Sequence, residues 1–418
     1  MQFGKLRTYA RTEMTLLAAA QLIVNSLRLD ASAPPIEGAV DWAQLLHHAD
    51  GHSLTPLLYS VWRDAGQLDR LLPAVCQQMA QAYADNAARN HNIRQELVEL
   101  DGLLTEAGVP HLLLKGWSLI ETLYPDPAQR VLYDHDFLVP AGQAERGHRA
   151  LRAAGFRPLP GKDEWVEKHL PALWRNDGYE WSGYLFDPLY PRPVELHVRL
   201  WEQGWRGLQV GQLPDPWADA ATQTIAGVPM QRLADEAMLI HLAMHFAGHL
   251  VEREARLNQL LDLARLAQKT AATLDWEKVL RQAEQAQVSR FVYASLFLAR
   301  QIFGSPLPPQ AVWQRMAAVT PPSFRAWLAE DGAADVLTGD FRRRDRGKDY
   351  QLTFLAARSI GEHLGIIRFA ALPPLGQLAA KYKLRRRWLG PLLYPRYVAE
   401  RVGSYGRGVL RSSKNGEE

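Results

Sequence analysis

Cysteine is almost absent from this chain: Cys76 is the single one among 418 residues. One thiol cannot build an internal disulfide framework, so the fold must be held by its core, and the usage fits a reducing compartment. Long apolar runs are missing as well, and no stretch approaches the eighteen or more residues of a membrane span. No internal repeat and no low-complexity block occurs. A strong charge bias is lacking too: 48 Lys and Arg against 45 Asp and Glu leave a formal net charge of +3, which by itself names no partner.

What is present is the composition of a globular protein, 47% hydrophobic and 22% charged, with enough chain for a substantial core and two or three substructures. The stretch "TLLAAAQLIVNSLRLDASAPP" superficially resembles a signal peptide with an Ala-Ser-Ala cleavage site. Gln21, Asn25, Arg28 and Asp30 interrupt its apolar run, and Leu16, Leu17, Ile23, Val24 and Leu27 recur at helical spacing. An amphipathic first helix is the better reading, and a cytoplasmic location is expected.

Residues 13 to about 107 read as helical, with an N-cap aspartate opening "DWAQLLHHAD" and Gly108 closing "LVELDGLLTEAGVP". The texture then changes. "HLLLKG" (111–116) is a short apolar run that stops at a glycine, "WSLIETLY" (117–124) reads as a helix and "PDPAQR" (125–130) as a turn. "RVLYDHDFLVP" (130–140) has strand character, and "AERGHRALRAAGF" (144–156) is a helix with a glycine stop. Residues 164–168, 180–186 and 194–200 look like strands among Pro-, Gly- and Asp-rich loops. From about residue 231 helical patterning returns, most regularly in "DEAMLIHLAMHFAGHL" (235–250). The expected architecture is α+β: a small mixed-sheet core over 108–205, between an N-terminal helical region (1–107) and a C-terminal helical domain (206–380), with a basic tail (381–418).

The run at 130–140 poses a physical problem. Asp134 and Asp136 lie on one face of an otherwise apolar strand while His135 points away. Two ionised carboxylates ~5 Å apart repel by roughly 3 kcal/mol at an effective dielectric of about 20. Glu195 adds a third acid inside "VELHVRL" (194–200), and "LLLKGWS" ends a strand at Lys115 and Gly116 before opening a helix whose N-terminus favours phosphate. Three carboxylates converging on one face suit one or two Mg²⁺ ions, which take oxygen ligands and share them with substrate phosphates. Each residue also has a plainer role open to it. The aspartates suit a solvated strand end, Glu195 an ion pair with Arg192 or Arg199, Lys115 an exposed strand end, and Arg130 either a phosphate or a carboxylate partner bracing the acidic strand.

With these residues in order, the chain resembles the uncharacterised nucleotidyltransferase family, a remote branch of the polymerase-beta-like nucleotidyltransferase superfamily. The likeness runs from about residue 85 to 270 and follows a pattern of Leu-Lys-Gly, Tyr-x-Asp, an Arg before Asp-x-Asp, and Glu-Leu-His. Lys115, Gly116, Tyr124, Asp126, Arg130, Asp134, Asp136, Glu195 and His197 match it. "DEAMLIHLAMHFAGH" and "LLDLARL" are similar to the family's helical half. The resemblance implies transfer of a nucleoside monophosphate from a nucleoside triphosphate to an acceptor hydroxyl, with Mg²⁺ or Mn²⁺. Asp134 and Asp136 would bind metal, and Glu195 would bind metal and help activate the hydroxyl. Lys115, Gly116, Ser118, Arg130 and His197 are the expected nucleotide contacts. Members of the family occur beside biosynthetic genes for modified peptides, so the acceptor is expected to be a small molecule, a peptide or a protein.

One departure stands out. The superfamily's Gly-Ser pair at the helix start is replaced by Lys115-Gly116-Trp117-Ser118, leaving Lys115 as a phosphate-binding point charge and Ser118 as substitute. A second reading, a non-catalytic binding protein that keeps the fold, draws on that departure. A third is a histidine-based metallohydrolase, because His241, His245 and His249 recur every four residues on one helix face. No "HExxH" is present, so a polar seam facing the core is the plainer reading. The segment from 381 to 414 is basic with interleaved aromatics and would suit an anionic partner, whereas "DFRRRDRGKDY" (340–350) reads as a surface loop.

Overall fold

A computed structural model describes residues 16–160, 167–176, 178–339, 350–382 and 387–400. The first helix, α1, covers 16–26 and buries Ala19, Ala20, Ile23 and Val24, as its spacing predicts, while Leu17 stays exposed. Helix α2 (Trp42–Gly51) is capped by Asp41, whose side chain accepts from the Gln44 amide. Helix α3 (Thr55–Asp64) follows, and then α4 (Pro73–Glu106), ended by Gly108 at a φ of +64°.

The α/β core begins with β1 (Leu112–Leu113), α5 (Trp117–Leu123), β2 (His135–Leu138), α6 (Ala144–Ala153), β3 (Arg157–Pro158), β4 (Leu173–Trp174) and β5 (Val194–His197). A hairpin, β6 (Ala221–Ile225) and β7 (Val228–Arg232), completes a seven-stranded mixed sheet of order β3-β4-β5-β2-β1-β7-β6. Strand β2 is antiparallel to β1 and parallel to β5. The sheet therefore continues past residue 205, where the sequence reading ends the core. The hairpin turns at Ala226 and Gly227, both at positive φ, which is the backbone of a tight two-residue turn. The expected strand at 180–186 is instead a run of bends and turns, and most of 164–168 lies outside the described residues, as do 340–349 and most of the basic tail.

Alternation sorts the sheet's two faces. Leu113, Phe137 and Leu196 pack with Ile93, Leu97, Leu100 and Leu104 of α4 and Leu151 of α6. Leu112, Leu114 and Leu138 join the larger core with α7 (Asp235–Val251) and α8 (Leu257–Lys269). Further helices, among them Trp276–Gln285 and Ser289–Phe303, extend that second core. Asp136, one residue from Phe137 and two from Leu138, thus faces α7, and Glu195 and His197, flanking Leu196, do the same. Among the described residues, no helix is long and apolar enough to cross a membrane.

Candidate active site

The segment 127–132 that leads into the two aspartates, a 3₁₀ turn (Pro127–Gln129) followed by extended chain, is held by one face of α4. Asn86 Nδ2 donates to the carbonyls of Ala128 at 2.7 Å and Arg130 at 3.2 Å, and Asn90 Nδ2 donates to Arg130 O at 2.8 Å. Arg89 donates to Leu132 O at 2.7 Å and Leu185 O at 2.9 Å. All three side chains are buried and sit at i, i+3 and i+4, so one helical stripe answers carbonyls that lack a ladder partner.

Strand β2 starts at His135, so Asp134 sits just before the strand and Asp136 within it. Asp136 is buried, while the Asp134 side chain remains 33% exposed. Lys115 Nζ answers their mutual repulsion: it lies 3.4 Å from both Asp134 carboxylate oxygens and in direct ion-pair contact with Asp136 Oδ2. It is a largely covered counter-ion, not an exposed strand end. Burial would lower the Lys115 pKa, but the charges of Asp134 and Asp136 raise it above the ordinary lysine value.

Across the sheet, Asp136 and Glu195 are register partners on the parallel strands β2 and β5. His197 Nε2 is 3.0 Å from Asp136 Oδ1 and 3.2 Å from Glu195 Oε2. His169 Nε2 approaches the same Glu195 oxygen at 3.5 Å. Burial would raise the Glu195 carboxyl, yet the His197 hydrogen bond and the nearby imidazoles hold it at about 2. Neither Arg192 nor Arg199 pairs with it: Arg192 Nε donates to Glu96 at 2.7 Å, and Arg199 pairs with Glu167. Glu96 also meets His135 Nε2 at 3.0 Å on the opposite face.

The ligand atoms of Asp136, Glu195 and His197 all lie within 4.8 Å of one another, the metal-capable grouping found among the described residues. His197 takes the place in it expected for Asp134. The helix-borne histidines form no such group. They are neutral, since burial lowers His241 to about 3, His245 well below its ordinary value and His249 to about 4.

Two cavities flank Lys115. The larger, about 620 Å³, is lined by Lys115, Gly116, Arg130, Asp134, His245 and Arg256 among others. The smaller, about 200 Å³, is bordered by Lys168, His197, Trp201, Trp205, His241 and His249. The expected seam therefore faces both cavities. Ser118 is fully buried in α5 and lines neither, and α5 has only seven residues, too short for its N-terminus to act as a strong dipole.

The remaining motif residues bond within the protein, although Arg130 also lines the larger cavity. Arg130 donates to Asp262 of α8 through Nε at 3.0 Å and Nη2 at 2.8 Å, and Tyr124 OH donates to the same carboxylate at 2.7 Å. Asp126 accepts from the Ala128 amide at 2.8 Å and pairs with Tyr83.

The model of the family described as "Uncharacterised nucleotidyltransferase" matches residues 38–304. The chain belongs to that family. No curated protein and no solved structure matches it. Family membership makes general nucleotidyl transfer the activity class of this nucleotidyltransferase, and a carboxylate–imidazole grouping beside two cavities is chemistry of the appropriate kind. Sequence reasoning missed His169, Glu96, Lys168 and Asp262. Only Asp262, an acid inside the apolar run "LLDLARL", carried a local signal.

Proposed function

We propose that the protein transfers a nucleoside monophosphate from a nucleoside triphosphate to an acceptor hydroxyl, assisted by a divalent cation. The observation that carries this reading is the register pairing of Asp136 with Glu195, which sets two carboxylates and His197 side by side next to Lys115, a residue that borders both cavities. These residues fit a cation: Asp136, Glu195 and His197 offer converging O, O and N donors from a rigid strand pair. A bound divalent cation would neutralise phosphate charge and polarise the transferred phosphorus.

The chain's own groups account for the rest. The larger cavity takes the nucleotide, with Lys115 and Arg256 as phosphate contacts and Asp134, 33% exposed, at its edge. The smaller cavity takes the acceptor, whose hydroxyl would approach Glu195 and His197 from the side of Trp201 and Trp205. Glu195, in the same grouping, would accept that hydroxyl's proton as the new oxygen–phosphorus bond forms and the bond to the departing pyrophosphate breaks. One observation favours a binding-only protein: Lys115 already pairs with Asp136 and lies close to Asp134. That reading expects triphosphate binding without turnover.

Incubation with α-labelled nucleoside triphosphates and cell extract tests the reading through transfer of label to any acceptor. Glu195→Gln should lower turnover ~10²-fold or more while changing triphosphate affinity only a few-fold. Unchanged turnover on a folded preparation would remove Glu195 from the chemistry.

A further inference from the structure

We propose that the helix Ile360–Ala371 and the chain that follows it form a docking surface for a lipid bilayer with anionic headgroups, independently of the chemistry at the candidate active site. Two observations meet in this one stretch. The first is exposure. Of the thirteen large hydrophobic side chains exposed among the described residues, six lie within 360–392: Ile360, Leu364, Ile367, Leu372, Leu375 and Leu392. The second is charge. Between Glu362 and Glu400 the sequence holds seven Lys and Arg and no Asp or Glu, whereas the other 41 cations are interspersed with all 45 acids.

Three of the exposed side chains form a stripe. Ile360, Leu364 and Ile367 stand at i, i+4 and i+7 of one helix and so share a face. Arg368, also exposed, follows Leu364 by four residues and joins them. The opposite face fixes how the helix is turned. Its buried Glu362 accepts from Arg290 Nη2 of the helix Ser289–Phe303 at 2.9 Å, and from the amides of Gln209 at 3.0 Å and Arg358 at 2.6 Å. Ile366 is buried four residues on, and Gly365 approaches Gly207 so closely that a Cβ on either would strike the other's backbone. Rotation to hide the stripe would strand a buried ion pair, so the apolar face is held outward.

The pairing of stripe and charge selects the partner. An RNA would answer only the cations, and an apolar groove only the stripe. Acyl chains beneath anionic headgroups answer both, because interfacial binding adds buried apolar area to attraction for Lys and Arg. Tyr382, Trp388 and Tyr394 interleave with the cations in sequence, and such rings suit the headgroup boundary. No described helix is long and apolar enough to cross a membrane, so the docking is peripheral.

The test sediments the full-length protein with vesicles of mixed phosphatidylglycerol and phosphatidylcholine, and with phosphatidylcholine alone, and follows the free protein by light scattering. Binding should be at least ~10-fold stronger to the anionic vesicles and should fall several-fold as salt rises. The combined variant Ile360→Gln, Leu364→Gln and Ile367→Gln should bind ~10-fold or more weakly while its melting temperature holds, since the three side chains are exposed. Arg368→Glu should lose ~10-fold on anionic vesicles, and it decides the matter if the triple variant melts early. Leu72→Gln with Leu189→Gln, exposed apolar positions elsewhere in the chain, should leave binding unchanged. Equal binding to both vesicle types, no binding, or a folded triple variant that binds like the parent overturns the proposal. A dimer that the triple variant abolishes, without vesicle binding, overturns it too and assigns the face to a second copy. Binding of single-stranded RNA without vesicle binding overturns it in favour of nucleic acid.

Discussion

Asp262→Asn decides what Arg130 does. The guanidinium and the Asp262 carboxylate are 10% and 4% exposed, and two N–H groups of Arg130 reach the carboxylate at 3.0 and 2.8 Å. The pair joins the segment before β2 to α8, and so couples the sheet to the helical half. Taking the charge centres ~4 Å apart with an effective dielectric of about 20, their attraction is about 4 kcal/mol. The asparagine keeps the shape and still accepts from Tyr124, but it removes the charge and turns one acceptor oxygen into an N–H donor facing Arg130. Leaving a buried guanidinium without its counter-charge typically costs about 3–5 kcal/mol, in line with the Coulomb figure. Chemical denaturation should show that loss, and the melting temperature should fall by about 5 °C or more. Adding Arg130→Met to the variant removes the orphaned charge and should recover most of it, to within about 1.5 kcal/mol of the parent. A loss below about 1 kcal/mol for Asp262→Asn alone would refute the reasoning. Arg130 would then be satisfied elsewhere, and its place in the wall of the larger cavity would point to an anion after all.

Other outcomes follow from particular contacts. Burial would raise the Glu96 carboxyl from its ordinary 4.5, but hydrogen bonds and charge from His135 and Arg192 hold it at about 2. A depressed carboxylate contributes stability that is present above pH 4.5 and lost as the pH falls towards 2, here up to about 3 kcal/mol. Glu96→Gln should flatten that stretch of the stability–pH curve, read by denaturation at several pH values. Asn86→Ala should cost about 1–3 kcal/mol by stripping donors from the Ala128 and Arg130 carbonyls, and it should lower turnover through Asp134 and Asp136, measured after correcting for the folded fraction. Gly207 has a φ of +87°, and a Cβ there would collide with the backbone of Gly365 in the helix Ile360–Ala371. Gly207→Ala should cost about 2–4 kcal/mol in thermal or chemical melts.

The sequence made the local elements and the acids legible, because both are written in short-range pattern. Apolar period, the Asp41 cap and the Gly108 stop place α2 and the end of α4 to within a residue or two. The alternation of Asp134, His135 and Asp136 against apolar flanks correctly puts His135 on the opposite face, where it meets Glu96. The short strands β3 and β4 could not be read, since a two-residue strand carries no period. Residues 180–186 show the converse: aromatic texture there belongs to a loop pinned to α4, where Tyr184 OH bonds Asp85 and the Leu185 carbonyl bonds Arg89.

Pairing across long separations is what local pattern cannot supply, and the site depends on it. Lys115, at the end of β1, looks like a point charge for phosphate alone until β2 is placed antiparallel beside it; Asp136 is then its ion-pair partner as well, with Asp134 close by. Glu195 invites pairing with Arg192 or Arg199, three and four residues away. Alternation puts Arg192 on the other face, Arg199 lies past the end of β5 and pairs with Glu167, and the parallel register with β2 delivers His197 and Asp136 instead. His169 has no signal at all in its own stretch of sequence. It reaches the candidate site only because its backbone bridges to His197, which brings its Nε2 within 3.5 Å of Glu195. The Asp-x-Asp motif therefore marks where the site lies, and the strand register determines which groups compose it.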